Sequence, residues 1–453
     1  MKKQFYRVSA AAVALLVGMG ATGAQSATLS EAIAQALGFN PRIKAADSNR
    51  EAVNYELRQS RSFYLPQVDA TAGIGVASIN DSITRSSGTD DYSTMQPEEY
   101  GIILQQRLFD GFETDSLVAR DKARFKAASR RVYETSEFLA LDVTESYLNV
   151  VRAQNLLALA EENARIHEAI LDSLRQRGSG GVGNRADIDQ TEARLLRARS
   201  VVEDTENSLQ DARASYTALV GELPPALDAP GCPTGSIPPG EAETLAQLIA
   251  QNPTLRALDA DVEANDARVD LSESPLYPRL SVEASSTYRD DQDGAETWEW
   301  DNRVMLMMRW NLYSGGRDVA GKREAVARLG QSKFERSVAL LQAEEETRQS
   351  WNALRASQRR TGLLTDAVGS SRATRDAYRE QFRVGNRTLL DVLDAENEVF
   401  VVSSELVDSQ TVECFQQYRI LALTGGLLRS VDVAAPATTD ETPPSFEDTI
   451  LVE

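Results

Sequence analysis

The most constraining feature of this sequence is an internal duplication. A segment that begins with Asn-Pro at Asn40 recurs from Asn252, and a later proline, Pro66 or Pro278, follows at the same distance in both copies. Further matches follow in the same order: LFDG (108–111) with LYSG (312–315), GNRADIDQTEA (183–193) with GNRTLLDVLDA (385–395), and ALVG, ending at Gly221, with ALTG, ending at Gly425. Internal repeats of this kind indicate a fold built from copies of one unit, here residues 28–221 and 252–428.

Each repeat predicts a pair of strands followed by very long helices. Apolar and polar residues alternate at about 65–83 and 99–110, and again at about 279–290 and 299–313. A period of two is typical of strands with one apolar face. The stretch 112–177 then contains neither glycine nor proline, and a helix of this length would span about 100 Å. Heptad-spaced apolar residues in the return helices predict coiled-coil-like packing.

Residues 1–26 have the features of a secretory signal peptide. Basic residues precede an apolar run that is too short to span a membrane, and small residues follow it. No later segment offers the roughly 18–20 continuous apolar residues of a transmembrane helix. The chain is therefore expected to be exported, and to enter a membrane only as a barrel of strands.

The composition argues against several classes of function. A net charge of −20 does not fit a nucleic-acid-binding protein. His167 is the single histidine, and we expect it to be solvated or to serve in packing. Cys232 and Cys414 are the two cysteines, too few to hold a zinc ion. We therefore expect no enzymatic activity, no cofactor and no metal site.

Gly178, Gly180 and Gly183 form the G-x-G-x-x-G pattern of a dinucleotide-binding turn. Such a site needs a preceding strand, whereas this stretch follows the long predicted helix. Its counterpart in the second repeat lacks the glycine pattern. We therefore interpret 178–184 as the tip of a helical hairpin, with a second tip at 383–387. Two acids spaced i, i+3 follow each tip on one helix face, namely Asp189 and Glu192, and Asp391 and Asp394.

The number of strands predicts an oligomer. Four strands per chain cannot close a barrel, since the smallest membrane-spanning barrels have eight, and open sheet edges are not tolerated in lipid. Several chains must combine their strands to give eight, twelve or sixteen. The helices would then continue the barrel as a tube, and a ring of carboxylates at its far end would attract cations.

Two further segments complete the chain. Residues 222–251 form a proline-rich linker and equatorial segment between the repeats, and residues 429–453 are expected to be a disordered acidic tail. Cys414 lies on an apolar heptad seam, where it is expected to act as a small hydrophobic residue. Cys232 lies in the linker. Export also permits a disulfide between them, and the sequence leaves this alternative open.

The signal peptide, the tandem layout and the segment VGNRTLLDVLDAENEV (384–399) resemble the TolC family of outer-membrane efflux and secretion channels. The resemblance covers residues 28–428. It implies a mixed α/β membrane protein in the outer membrane of a Gram-negative bacterium, with its helices in the periplasm. It also implies a homotrimer that contacts outer-membrane lipid through a shared twelve-strand β-barrel, which continues into a twelve-helix periplasmic α-barrel. The implied partners are a periplasmic adaptor (membrane fusion protein) and an inner-membrane ABC transporter or other pump, and no nucleic acid.

The resemblance also assigns roles to residues near the tips. By position, Asp391 and Asp394, with Asp189 and Glu192, would form an acidic ring at the entrance. The residues that latch the entrance shut would be Arg387, Phe382 and Asp189, although Phe382 stands where a tyrosine is usual and lacks its hydroxyl. The adaptor would contact the tips at Gly183, Asn184, Arg185, Val384, Gly385 and Asn386.

The first tip, RGSGGVGNRADIDQTEARLLRA (177–198), and LFDGFET (108–114) resemble the subset of the family that serves type I secretion, including exporters of large adhesins. We therefore expect the exit duct of a type I secretion system, which passes protein cargo to the exterior. The exit duct of a multidrug efflux pump is the alternative. A periplasmic adaptor is disfavoured, because adaptors have one helical hairpin in a β domain and no tandem repeats.

Overall fold

The computed structural model describes residues 27–80, 82, 85, 93–179, 184–225, 227–291, 297–443 and 445. The predicted signal peptide, residues 1–26, lies outside these residues, as do Gly180 and Gly183 of the first tip. Within the described residues, no helix is both long enough and apolar enough to cross a membrane.

Each repeat consists of two short helices, a pair of long strands and a hairpin of two long helices. The elements of the first repeat are α1 (Leu29–Phe39), α2 (Pro41–Ser62), β1 (Gln67–Ile74), β2 (Ala77–Ile79), β3 (Ser93–Met95), β4 (Glu98–Phe109), α3 (Glu113–Ser179) and α4 (Arg185–Val220). Those that follow are α5 (Glu241–Gln251), α6 (Pro253–Glu273), β5 (Arg279–Asp290), β6 (Trp298–Arg309), α7 (Arg317–Arg383), α8 (Leu389–Leu423) and α9 (Leu427–Ser430). Helices α3 and α7 each have 67 residues, so each spans about 100 Å.

The matched asparagines of the two repeats have the same structural role. Asn40 caps α2, and its side-chain amide donates to the carbonyl of Leu219 at 3.1 Å. Asn252 caps α6, and its amide donates to the carbonyl of Leu423 at 2.9 Å. Each helix opens with a proline, which has no amide hydrogen to leave unpaired in the first turn. In both repeats the asparagine therefore ties the start of the repeat to its last long helix.

The four long strands form one antiparallel sheet in the order β1-β4-β5-β6. Strand β4 of the first repeat pairs with β5 of the second, so the sheet joins the repeats. Its apolar face carries Val68, Ile102 and Val304, each more than half exposed. Its polar face carries Glu283 and Arg303, whose positions alternate with the apolar ones. Among the described residues, β1 and β6 are the edge strands.

The strands differ from their predicted extents where a partner is missing. The predicted strand 65–83 is interrupted after Ile74, and the separate strand β2 pairs with β3, which lies between the two predicted strands 65–83 and 99–110. The predicted strand 299–313 ends at Arg309, because Arg279, its partner, is the first residue of β5. Trp310 and Leu312 continue the alternating pattern beyond that point, but within the described residues no residue of β5 lies opposite them.

The main core lies where α1, α3, α4 and α8 meet. Tyr147 of α3 is buried there with Ile33 and Leu427, and its hydroxyl lies 2.9 Å from the carbonyl oxygens of Ala27 and Asp228. Helix α3 also packs along α6, and α7 packs along α6 and α8. The helical body is therefore one packed unit to which both repeats contribute.

The inter-repeat linker is bonded to α8. Cys232 and Cys414 form a disulfide, with their Cα atoms 5.1 Å apart. The expectation that Cys414 acts only as a small hydrophobic residue is therefore wrong, although the residue is buried. The hydroxyl of Tyr418, one turn further along α8, donates to the carbonyl of Gly231 at 2.8 Å. The linker folds back across this face of α8, a contact that the heptad pattern of α8 alone does not reveal.

The acidic tail packs against the helices, so the prediction of disorder is wrong for residues 429–441. Glu441 forms ion pairs with Arg130 of α3 at 3.0 Å and with Arg256 of α6 at 2.8 Å. The Thr438 hydroxyl donates to Asp47 of α2 at 2.5 Å. The acidity that suggested disorder is matched by arginines on the surface that the tail covers. Residues 446–453 lie outside the described residues.

Candidate site at the hairpin tips

The second tip is a tight turn between α7 and α8. Gly385 has a φ of +81°, a conformation that favours glycine, and the Asn386 amide donates to the Gln381 carbonyl at 2.8 Å. Thr388 and Asp391 form a reciprocal capping box at the start of α8. The hydrogen bonds from Thr388, together with the nearby charge of Arg387, lower the pKa of Asp391. Asp391 therefore remains ionised while it caps its own helix.

The described part of the first tip begins at Asn184. Its side chain caps α4 by accepting a hydrogen bond from the Ala186 amide at 3.1 Å. Arg185 and Asp189 lie within 3.9 Å of each other, and both side chains are largely exposed. Gly183 lies outside the described residues. The other predicted adaptor contacts are exposed at the ends of the two hairpins, namely Asn184, Arg185, Val384, Gly385 and Asn386.

Every acid predicted for the ring has an arginine partner in the same chain. The pairs are Asp189 with Arg185 at 3.9 Å, Glu192 with Arg175 at 3.4 Å, Asp391 with Arg387 at 3.6 Å, and Asp394 with Arg194 at 2.8 Å. In three of these pairs, both partners belong to the same hairpin: the pairs of Asp189 and Glu192 lie in the first hairpin, and the pair of Asp391 lies in the second. The pair of Asp394 and Arg194 connects α8 to α4 and so joins the two hairpins. Solvent screens such exposed pairs, so they orient the side chains but add little to the stability of the fold.

The three predicted latch residues do not converge within one chain. The guanidinium of Arg387 lies 4.0 Å from the centre of the Tyr378 ring, and its Nε donates to the Gln381 side chain at 3.1 Å. Both partners are on α7, so Arg387 is held within its own hairpin. Among the described residues, no ion pair or hydrogen bond joins Asp189 to Arg387 or to Phe382.

Phe382 packs where the two hairpins meet. It belongs to an apolar cluster with Leu174 of α3 and with Leu389 and Leu393 of α8. The guanidinium of Arg177 lies 5.5 Å from the centre of the Phe382 ring. This contact uses the aromatic ring and needs no hydroxyl. Among the described residues, the tips of the two hairpins are therefore joined by this apolar cluster, by the contact of Arg177 with Phe382 and by the ion pair of Arg194 with Asp394.

Two charged or titratable groups are buried above the tips. Glu396 of α8 is buried and pairs with Arg379 of α7 at 2.5 Å. Burial raises the pKa of Glu396, and Arg379 opposes that shift. His167 of α3 is buried as well, and burial together with the charge of Arg194 lowers its pKa. His167 is therefore neutral and serves in packing.

The sequence reasoning missed Tyr378 and Arg194. Tyr378 precedes Phe382 by one helical turn, so a search of that helix face for aromatic residues would have found it. Arg194 contacts an acid on the other hairpin, 200 residues away, and no local spacing indicates that contact.

The sequence matches the family model described as "Outer membrane efflux protein" over residues 32–222 and 244–426. This chain belongs to the outer membrane efflux protein family. The two matched regions correspond closely to the two repeats, and the residues between them are the linker that carries Cys232. The predicted resemblance to TolC-type channels is thereby confirmed.

Relatives match the chain over most of its length. Outer membrane efflux protein BepC of Brucella suis is 26% identical over 418 residues, 92% of this chain and 89% of BepC. Alkaline protease secretion protein AprF of Pseudomonas aeruginosa is 25% identical and covers 91% of this chain and 88% of AprF. Outer membrane protein TolC of Escherichia coli is 23% identical, with 91% and 86% covered.

A solved structure supports the fold. The chain superimposes on the channel CusC with a TM-score of 0.77 and 16% identity, over 88% of this chain and 92% of that one. The predicted fold class is thus confirmed. The outer membrane efflux protein family consists of channels and not of enzymes, and its members are outer-membrane proteins.

Proposed function

We propose that this member of the family is the exit duct of a type I secretion system. Three copies form one channel, and protein cargo from an inner-membrane ABC transporter and a periplasmic adaptor enters at the hairpin tips. The observation that carries the proposal is the continuity of the chain. The two-faced sheet leads directly into helices α3 and α7, and each of these ends in an exposed tip.

The sheet supports assembly from several copies. Its apolar face exposes Trp300, Val304, Leu306 and Met308, each by more than 60%. In lipid both open edges must be paired. Strand β6 of one copy can pair with β1 of the next, because the two edge strands run in opposite directions. Three four-stranded sheets then close into a twelve-strand wall with the polar face around a lumen.

The helices support a long duct below that wall. Helices α3 and α7 span about 100 Å each. The return helices α4 and α8, with 36 and 35 residues, pack along them. Such a body places the tips far from the sheet, where a partner from the opposite membrane can reach them.

The tips support contact with an adaptor. Asn184, Arg185, Val384, Gly385 and Asn386 are exposed at the ends of the hairpins, and Gly183 completes the proposed set. The entrance acids Asp189, Glu192, Asp391 and Asp394 lie just above them. The proposed latch consists of the Phe382 cluster and of Asp394 with Arg194, because these contacts hold one hairpin to the other. Arg387 shapes the second tip through its contacts with Tyr378 and Gln381, and the largely exposed Asp189 would be free to contact a neighbouring copy.

Protein cargo is preferred to small molecules because of the first tip and the stretch LFDGFET, which resemble the type I secretion subset. AprF, named for protease secretion, matches 91% of this chain. BepC is named as an efflux protein, so the exit duct of a multidrug efflux pump is the second candidate.

A deletion strain tests the proposal. Its secreted and surface proteins are compared with those of the parent by mass spectrometry, and its susceptibility to dyes, detergents and antibiotics is measured in parallel. We expect loss of one large exported protein with unchanged susceptibility. Hypersensitivity with an intact set of exported proteins would contradict the secretion proposal and favour efflux.

A glycine variant at the second tip tests the role of the tip, and a glycine variant within α7 is its control. Gly385 has a positive φ, so Gly385→Val strains the second tip. An added Cβ at Gly362, within α7, meets nothing within 4 Å. We expect Gly362→Ala to restore secretion in the deletion strain and Gly385→Val to fail, with equal amounts of trimer in the membrane. Restoration by both variants would contradict the proposed tip contact.

A further inference from the structure

Three arginines lie on the polar face of the sheet, at the end where the strands meet the helices. Arg279 and Arg309 are directly opposite each other on β5 and β6. Arg107 of β4 is opposite Ser281, two residues along β5 from Arg279. Directly opposite residues lie about 5 Å apart and diagonal neighbours about 7–8 Å. Arg107, Arg279 and Arg309 therefore project from one small area, called here the arginine layer.

The charge of the arginine layer is poorly neutralised within the chain. Arg279 pairs with Glu113 at 3.0 Å. The guanidinium of Arg107 stacks on Phe63, 4.6 Å from the ring centre, and the side chain of Arg309 forms no ion pair among the described residues. All three arginines are exposed. The layer therefore keeps most of its positive charge.

Other arginines on the same face are neutralised. Arg303 pairs with Asp301, and Arg289 pairs with Glu99 at 3.4 Å. Like charges directly opposite on neighbouring strands destabilise a sheet, so the facing pair of Arg279 and Arg309 lowers the stability of the fold. Of the described arginines on the polar face, Arg107 and Arg309 form no ion pair, and both lie at this one level of the sheet. In a chain with a net charge of −20, these two unneutralised charges beside Arg279 point to a role in binding what passes through the sheet.

We propose that the arginine layer attracts and binds polyvalent anions at the junction between the sheet and the helical body. This inference rests on the proposed function, because closure of three sheets would bring nine arginines around one lumen. The physiological ligand is a carboxylate-rich stretch of the exported polypeptide. Side chains on the lumen face of such channels set their selectivity, and confined walls of one charge concentrate counter-ions. The cargo would meet acids at the tips and arginines at the base of the sheet.

The test uses single channels of the full-length trimer in planar bilayers, with inositol hexakisphosphate added on the side of the sheet. We expect this polyanion to block the wild-type channel. The variant Arg107→Gln/Arg279→Gln/Arg309→Gln should raise the half-blocking concentration at least about tenfold. Raising the ionic strength from about 0.1 M to about 1 M shortens the Debye length from about 10 Å to about 3 Å, and should relieve the wild-type block.

Two control variants isolate the charge of the layer. Substitution of the same three arginines by lysine keeps the charge and should keep the block. Arg303→Gln removes an arginine of the same face that Asp301 neutralises, and should leave the block unchanged. If the triple glutamine variant forms no channels, the single variant Arg309→Gln decides, because none of the described residues forms an ion pair with Arg309 that the substitution would remove.

The outcomes separate the two proposals. If the triple glutamine variant conducts normally and is blocked like the wild type, the arginine layer has no such role, and the duct itself stands. The arginine layer is likewise excluded if Arg309→Gln must decide and leaves the block unchanged. A wild-type protein that forms no channel would overturn the proposed function, and the inference with it.

Discussion

At the scale of single residues, Glu137 of α3 is the acid whose charge the fold controls most directly. It is fully buried and accepts a hydrogen bond from the Leu427 amide at 3.1 Å. The Tyr133 hydroxyl lies 2.7 Å from Glu137 and 2.9 Å from the Gly425 carbonyl. A hydroxyl has one proton, so both contacts are satisfied together only when Glu137 is protonated and donates to Tyr133. Burial raises the pKa of Glu137 to about 7, which agrees with this interpretation.

This arrangement predicts a pH dependence of stability. The folded-state pKa of Glu137 lies above its ordinary value of 4.5, so the folded protein binds the proton more tightly than the unfolded chain. The stabilisation is complete below that ordinary value and is lost as the pH rises through about 7, a change of roughly 3 kcal/mol in the free energy of unfolding. Glu137→Gln should flatten this slope, because the amide keeps the hydrogen bonds without a charge.

The measurement is thermal unfolding, followed by the helical circular dichroism signal, across the pH range from the ordinary pKa of 4.5 to somewhat above the folded-state pKa of about 7. Glu145→Gln is the control, since Glu145 is exposed on the same helix and should keep the full slope. Glu396, whose pKa burial also raises, adds a dependence of its own to both variants and to the wild type. A slope that is equal in Glu137→Gln and in the wild type would assign the pH dependence to other groups.

At the scale of elements, the disulfide between Cys232 and Cys414 fixes the linker to α8. It connects residues 182 positions apart, and a bond that closes so long a loop strongly restricts the unfolded chain. We expect Cys232→Ser/Cys414→Ser to lower the free energy of unfolding by about 2–4 kcal/mol. A reductant should lower the thermal stability of the wild type to that of the variant and leave the variant unchanged. Equal stability of variant and wild type under oxidising conditions would exclude this role.

Elements that local patterns determine could be predicted from the sequence. The stretch 112–177 without glycine or proline corresponds to α3, and the alternation at 279–290 corresponds to β5. Features that depend on distant partners could not be predicted. The ordered tail is one such case, since Glu441 contacts arginines 311 and 185 residues away.

The same limit applies to the candidate site. The tips and the acid pairs follow from spacing along one helix, and the sequence indicated them. The contact of Arg194 with Asp394 and the packing of Phe382 depend on how the two hairpins meet. No sequence periodicity within either hairpin predicts how the two hairpins pack against each other.

For the whole molecule, the contacts at the tips fall into two kinds. Arg387 with Tyr378 and Arg175 with Glu192 lie within a hairpin, whereas the Phe382 cluster lies between the hairpins. If each hairpin moves as a unit when the entrance opens, contacts within a hairpin persist. Only the contacts between hairpins must then break, so these determine how strongly the closed state is favoured.

The last prediction therefore concerns Phe382→Ala combined with Arg194→Ser. In the proposed closed state the tips converge and dominate the electrical resistance of the duct, so this variant should raise the single-channel conductance in planar bilayers severalfold. Arg175→Ser removes an ion pair within one hairpin and should change the conductance little. Trimer content is checked for both variants. If the double variant conducts like the wild type, the entrance is held shut by contacts between neighbouring copies, and the exposed Asp189 is one carboxylate at the tips that could form them.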